Sequence, residues 1–175
     1  MKPYVKPSAR NLEIGDLKVI AQGGSQFTLS GTGAFNDDDC GAGEQGFHVW
    51  LIGPIEAGAT IQVQAVGLPI GAPSPDPGLC TNLSDNPDLV LRVLDANNSD
   101  LTGCIDANGI GGSESTSFTA PNTGTYEIHV HGIESGGGTC SGYTLTVSGD
   151  QAQPTTFNLQ QNETCPNDCA HAPIS

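Results

Sequence analysis

Asp88-Leu89-Val90-Leu91-Arg92-Val93-Leu94-Asp95 and Gly124-Thr125-Tyr126-Glu127-Ile128-His129-Val130-His131 are the two stretches on which the reading of the fold turns. Both alternate with a period of two, the period at which successive side chains of a strand point to opposite faces. In the second, Tyr126, Ile128 and Val130 point inward while Glu127, His129 and His131 point out. In the first, Leu89, Leu91 and Val93 share a face, and the opposite face of Val90, Arg92 and Leu94 is also largely apolar. Ile61, Val63 and Ala65 alternate in the same way with Gln62 and Gln64. Further strands are expected at 26–29, 47–52, 115–119 and 143–148. Turn-forming residues separate them: Pro54 and Gly58, the stretch 69–77, Asn97-Asn98, Gly111-Gly112, Asn122 to Gly124 and Gly136 to Gly138. Short strands with frequent turns make an all-β sandwich or barrel.

Composition agrees. The chain has 24 Gly and 12 Pro among 175 residues and only five Lys plus Arg, which favours turns and strands over long helices. That length suits one domain with a proper core. Three regions separate: an arm at 1–24, a body at 25–150 and a tail at 151–175. Charge is distributed unevenly. Lys2, Lys6, Arg10 and Lys18 lie in the arm, leaving Arg92 as the one basic residue against 17 acidic ones from Ser25 onward. Such a field repels phosphate backbones and argues against nucleic-acid binding. No stretch is long and apolar enough to insert in a membrane.

Cys40, Cys80, Cys104, Cys140, Cys165 and Cys169 contain no CxxC pair and read as a disulfide framework from an oxidising compartment. Six cysteines allow fifteen pairings. The favoured set joins Cys80 to Cys104, which bracket one strand, Cys40 to Cys140 across the core, and Cys165 to Cys169 in a tail loop. The arm has the basic start of an export signal but not its apolar run, since Val19-Ile20-Ala21 is too short.

The ordered set of strand patterns resembles the bacterial pre-peptidase C-terminal domain. The residues that carry it are 47–52, Ala57-Gly58 with 60–66, Asp88 to Asp95, Gly124 to Val130, and Tyr143-Thr144-Leu145-Thr146-Val147, spanning roughly 35–148. The resemblance implies one jelly-roll-like antiparallel β-sandwich, secreted and ancillary to exported enzymes, with a short flexible N-terminal arm and a Cys-bearing C-terminal tail. Relatives of this family bind collagen and carry calcium near the domain's N-terminal end. Within the arm, Tyr4-Val5-Lys6-Pro7 followed by Leu12 and Gly15 is similar to the leaders of lasso-type modified peptides, and Gly23-Gly24 to double-glycine leaders. Either would direct processing; a plain disordered arm is the simpler reading.

Candidate chemistry is sparse. Asp37, Asp38 and Asp39, with Glu44 or a carbonyl completing the shell, are the candidate calcium ligands, because calcium takes six to eight hard oxygens; the alternative is a solvated acidic loop. His129 and His131 share a strand face at a spacing that chelates zinc or copper, with His48 near, although exposed outward histidines are the commoner case. Cys165, Cys169 and His171 could hold a soft metal, but an oxidised pair is favoured. No Gly-x-Ser-x-Gly elbow, His-Glu-x-x-His pair or phosphate loop occurs, so the chain is not expected to be an enzyme. Gly124 and Asn122 suit a turn with positive φ, Tyr126 and Tyr143 are expected to bury their rings with partnered hydroxyls, and Asp88 and Asp95 to cap turns. Trp50, in phase with His48 and Ile52, is the aromatic expected at the surface.

The functional expectation is a secreted, non-catalytic binding or adhesion module, calcium-stabilised, recognising an extracellular protein or glycan matrix. The alternative is a structural subunit of an extracellular filament or surface layer, joined to copies of itself through the arm or the tail. Thr155 to Leu159 has the alternation a donated strand needs, and equally that of a last strand of the same sandwich.

Overall fold

The computed structural model of the chain describes residues 25–36, 44–133, 140–161 and 169. Eight strands form two four-stranded antiparallel sheets: β1 Phe27–Asn36, β2 Glu44–Ile55, β3 Thr60–Gly67, β4 Asp88–Leu94, β5 Ser113–Thr119, β6 Gly124–Ile133, β7 Cys140–Gly149 and β8 Thr156–Gln161. Sheet A has the order β1-β7-β3-β5 and sheet B the order β4-β6-β2-β8. Odd-numbered strands lie in one sheet and even-numbered strands in the other, so each connection crosses from one sheet to the other. The alternation left a sandwich or a barrel open; the two packed sheets are the sandwich that the family resemblance implies.

The core lies between the sheets. Ile61, Val63 and Ala65 of β3 meet Leu89, Leu91 and Val93 of β4 there, with Ile128 and Val130 of β6 and Leu145 and Val147 of β7. Each of these Val, Leu and Ile side chains taken out of water contributes roughly 1.5–3 kcal/mol, and the Ala65 methyl less. Tyr126 is wholly buried and stacks on Phe118 at 5.5 Å, while its hydroxyl donates back to the Asn122 carbonyl and receives the Asn122 N–H. That closes the β5–β6 corner around a ring whose polar end would otherwise be unpaired. Gly124 does not take the positive φ expected of it; a Cβ there would lie 2.7 Å from that of Ala96, so packing demands the glycine. Gly58 does sit at φ +86°, in the turn where Ala59 N–H bonds the Glu56 carbonyl.

Trp50 is buried, against expectation. It follows β2's inner phase, stacks on Phe157 of β8 at 5.0 Å and donates its indole N–H to the Tyr143 hydroxyl at 2.8 Å. Gly31 of β1 makes the room, since a Cβ there would collide with the indole ring. Tyr143 also bonds His48 Nδ1 at 2.7 Å. Because the indole can only donate, the hydroxyl is left to donate its own proton to His48, which must then be neutral at Nδ1. Burial agrees: it pulls the His48 pKa down to about 4, against a weaker upward pull from Asp76, and it raises that of Tyr143 above the usual phenol range.

The cysteine pairing differs from the expected one. Cys80 bonds Cys140, with Cα atoms 6.4 Å apart, rather than Cys104. Cys104 bonds Cys169 at 5.7 Å, so neither Cys40–Cys140 nor Cys165–Cys169 forms. Reading the pairs from strands bracketed in sequence failed because the bonds serve long connections instead. Cys80 pins the β3–β4 connection to the start of β7, where Ser84 N–H also bonds the Cys140 carbonyl at 2.8 Å. Cys104 lies in the β4–β5 connection, which pairs along the edge of β4: Leu91 and Ile105 exchange both N–H···O bonds, and Leu101 N–H bonds the Val93 carbonyl. Cys40 and Cys165 lie outside the described residues, as does the arm.

Candidate functional site

The expected sites do not assemble. Asp37, Asp38 and Asp39 lie outside the described residues, and Glu44 merely opens β2, so the calcium reading gains no geometry. Among the described residues no group of three or more His, Cys, Asp or Glu is placed to hold a metal ion. His129 and His131 point to the outer side of sheet B as their phase requires, but that side is covered and both are buried. His129 Nε2 lies 2.9 Å from Glu127 Oε2, and Phe47 packs against both rings. His48 is on the inner side of the same sheet and cannot join them. Asp95 does cap its turn: the N–H of Ser99, then that of Asn97, hold its carboxyl below the usual carboxylate range despite burial. Asp88 is buried at the start of β4. Tyr126 and Tyr143 behave as expected, buried with partnered hydroxyls.

What the strands do assemble is the outer face of sheet A. Register places three rows of outward side chains across its four strands. The first row is Thr28, Ser148, Gln62 and Ser117; the second is Ser30, Thr146, Gln64 and Ser115; the third is Thr32, Thr144, Val66 and Ser113. Eleven of these twelve positions carry a hydroxyl or an amide, none carries a charge, and Val66 stands at one corner. Neighbours touch across the strands, as Ser30 Oγ and Thr146 Oγ1 do at 3.1 Å. Two depressions of about 460 and 470 Å³ cross this face and share Gln62 and Ser148. One runs over β7, β3 and β5; the other reaches β1 and ends at Asp150, whose Oδ1 accepts the Thr60 N–H at 2.6 Å.

Beyond the third row the face is closed. Ala34 and Gly142 are buried there, and the β3–β4 connection lays Leu83 over Gly142, where a Cβ would come within 3.1 Å of it. The open part is therefore bounded by a disulfide-anchored connection at one end and by Asp150 at the other. Sequence reading missed this surface. Its signal was present as hydroxyls at alternate positions in β1, β5 and β7 and amides in β3, but nothing local said that those four strands would be neighbours.

Residues 55–132 match the family model of the bacterial pre-peptidase C-terminal domain, from the end of β2 into β6, so the resemblance read from the strands holds for the middle of the chain. No curated protein matches the chain. Among solved structures, the chain is similar to PliG of Aeromonas hydrophila, a periplasmic inhibitor of g-type lysozyme. The identity is 17% and the TM-score 0.38, over 74% of this chain and 90% of that one.

Proposed function

We propose that this protein is an extracellular, non-catalytic binding module that engages a matrix polymer through the outer face of sheet A. The observation that carries the reading is the chemistry of that face. In a chain of net charge −14, twelve adjoining outward positions hold no charge and eleven hydrogen-bonding groups. Solubility alone does not call for such a surface, because charged side chains serve that purpose as well. Short Ser and Thr side chains lose little rotamer freedom when a ligand orders them. Two disulfides joining residues 60 and 65 apart in sequence support an oxidising, extracytoplasmic location. The segment suited to a donated strand pairs with β2 as β8 of its own sandwich, which favours the binding module over the filament subunit.

The test is adsorption of the purified chain to cellulose, chitin and fibrillar collagen. A face variant, Gln64→Arg with Thr146→Arg, is compared with Asn158→Arg on exposed β8. The intact chain and the β8 variant are expected to adsorb to at least one matrix, and the face variant to none. Equal adsorption by the face variant, or none by the intact chain, overturns the reading.

A further inference from the structure

Resting on that reading of sheet A, we infer that the ligand of the face is a neutral polysaccharide, laid across the strands from the Asp150 corner to β5. Each hydroxyl of the face both donates and accepts, and the Gln62 and Gln64 amides add two donors and an acceptor each. Their complement is a ligand dense in groups that also do both and carry no charge, which describes sugar hydroxyls. The threonine methyls on the same face give the C–H surfaces of a sugar ring an apolar partner.

Other ligand classes fit less well. Protein interfaces draw their affinity from buried aromatic, Arg or aliphatic anchors and are depleted in serine. This face has four serines outside β1 and a single aliphatic, Val66, which remains 41% exposed at the corner. A polyanion would meet both the net charge of −14 and the Asp150 carboxylate at the end of the depression. Shape supports an extended chain. The two depressions adjoin at Gln62 and Ser148 and together reach all four strands, three spacings or about 14 Å, the length of a short run of sugar units. With no aromatic ring in the three rows to stack on, binding at one site is weak and is strengthened by a polymer's repeating units.

Native electrophoresis in gels cast with dextran, hydroxyethylcellulose or laminarin tests this, with dextran sulfate as the matched polyanion. At least one neutral polymer should retard the chain and dextran sulfate should not. Gln62→Ala with Gln64→Ala, both exposed, should weaken the retardation about tenfold, the loss expected for two hydrogen-bonding side chains. No retardation by any neutral polymer, retardation that survives the double variant, or preference for dextran sulfate overturns the assignment. So does a dimer in sedimentation that the double variant abolishes, which would give the face to a second copy. Face-dependent adsorption to collagen alone would sink the glycan while leaving the recognition surface in place.

Discussion

The outer faces of the two sheets start from the same strand geometry and end differently. On sheet A the outward rows are hydroxyls and amides and stay open. On sheet B they are Val90, His131 and Phe47, then Arg92, His129 and Val49, then Leu94, Glu127 and Leu51, and most of these are buried. The β4–β5 connection extends this sheet at the β4 edge, held by the Arg92–Asp100 pair at 2.9 Å. The Cys104–Cys169 bond then fixes a residue of the tail beside that edge, although β8 ends at the opposite one. A sandwich needs only one buried face per sheet. A second buried face is therefore structural expenditure, whereas an uncharged face left open is a surface free for a ligand.

Opening the closed face should have the largest effect. Cys104→Ser with Cys169→Ser removes a link over 65 residues, for which chain entropy alone gives about 4 kcal/mol. Thermal melting should show the loss, and hydrogen exchange should rise in β4 and β6 while β3 and β7 stay protected. Equal rises in both sheets would mean that the bond staples the whole sandwich rather than one face.

Acid tests the layer between the faces. His48 is held neutral with its pKa near 4, below the ordinary 6.5, so the unfolded chain takes up its proton first as pH falls. The stability this contributes is complete above 6.5 and is lost between 6.5 and about 4, by roughly 3 kcal/mol. Melting temperatures across that interval should fall in the native chain and flatten in His48→Gln. Parallel curves would remove His48 from the account.

A smaller effect is expected where β1 crosses the same layer. Gly31→Ala drives a methyl group into the Trp50 ring and should cost about 2 kcal/mol, read from denaturant midpoints, with quenched or shifted indole fluorescence as its signature. The smallest belongs to the open face. Gln62→Ala with Gln64→Ala should change stability by less than about 0.5 kcal/mol while altering binding, because these side chains are exposed. A large stability loss there would mean that the rows serve the fold.

Strand existence and facing were legible because a period of two is written locally. All seven strands expected from the alternation are present, and the last, suggested by Thr155 to Leu159, became β8. Phase was right in β6 and inverted in β2. His129 and His131 do point away from the core, whereas the side that Trp50 shares with His48 and Ile52 is the inner one and not the surface side expected of it. Exposure could not follow from phase, because it depends on what lies over the face, and that is set by segments distant in sequence.

The sequence by itself therefore determined an all-β fold of short strands and the inner face of those with clear alternation, such as β3 and β6. Only the tertiary structure decided which strands are neighbours, which cysteines meet and which outer face stays open. The physical reason is range. Alternation and turn chemistry act over a few residues, whereas sheet order and the Cys80–Cys140 and Cys104–Cys169 bonds join positions 60 or more apart. Eleven polar side chains scattered over 28–148 become one surface only when register brings them into rows.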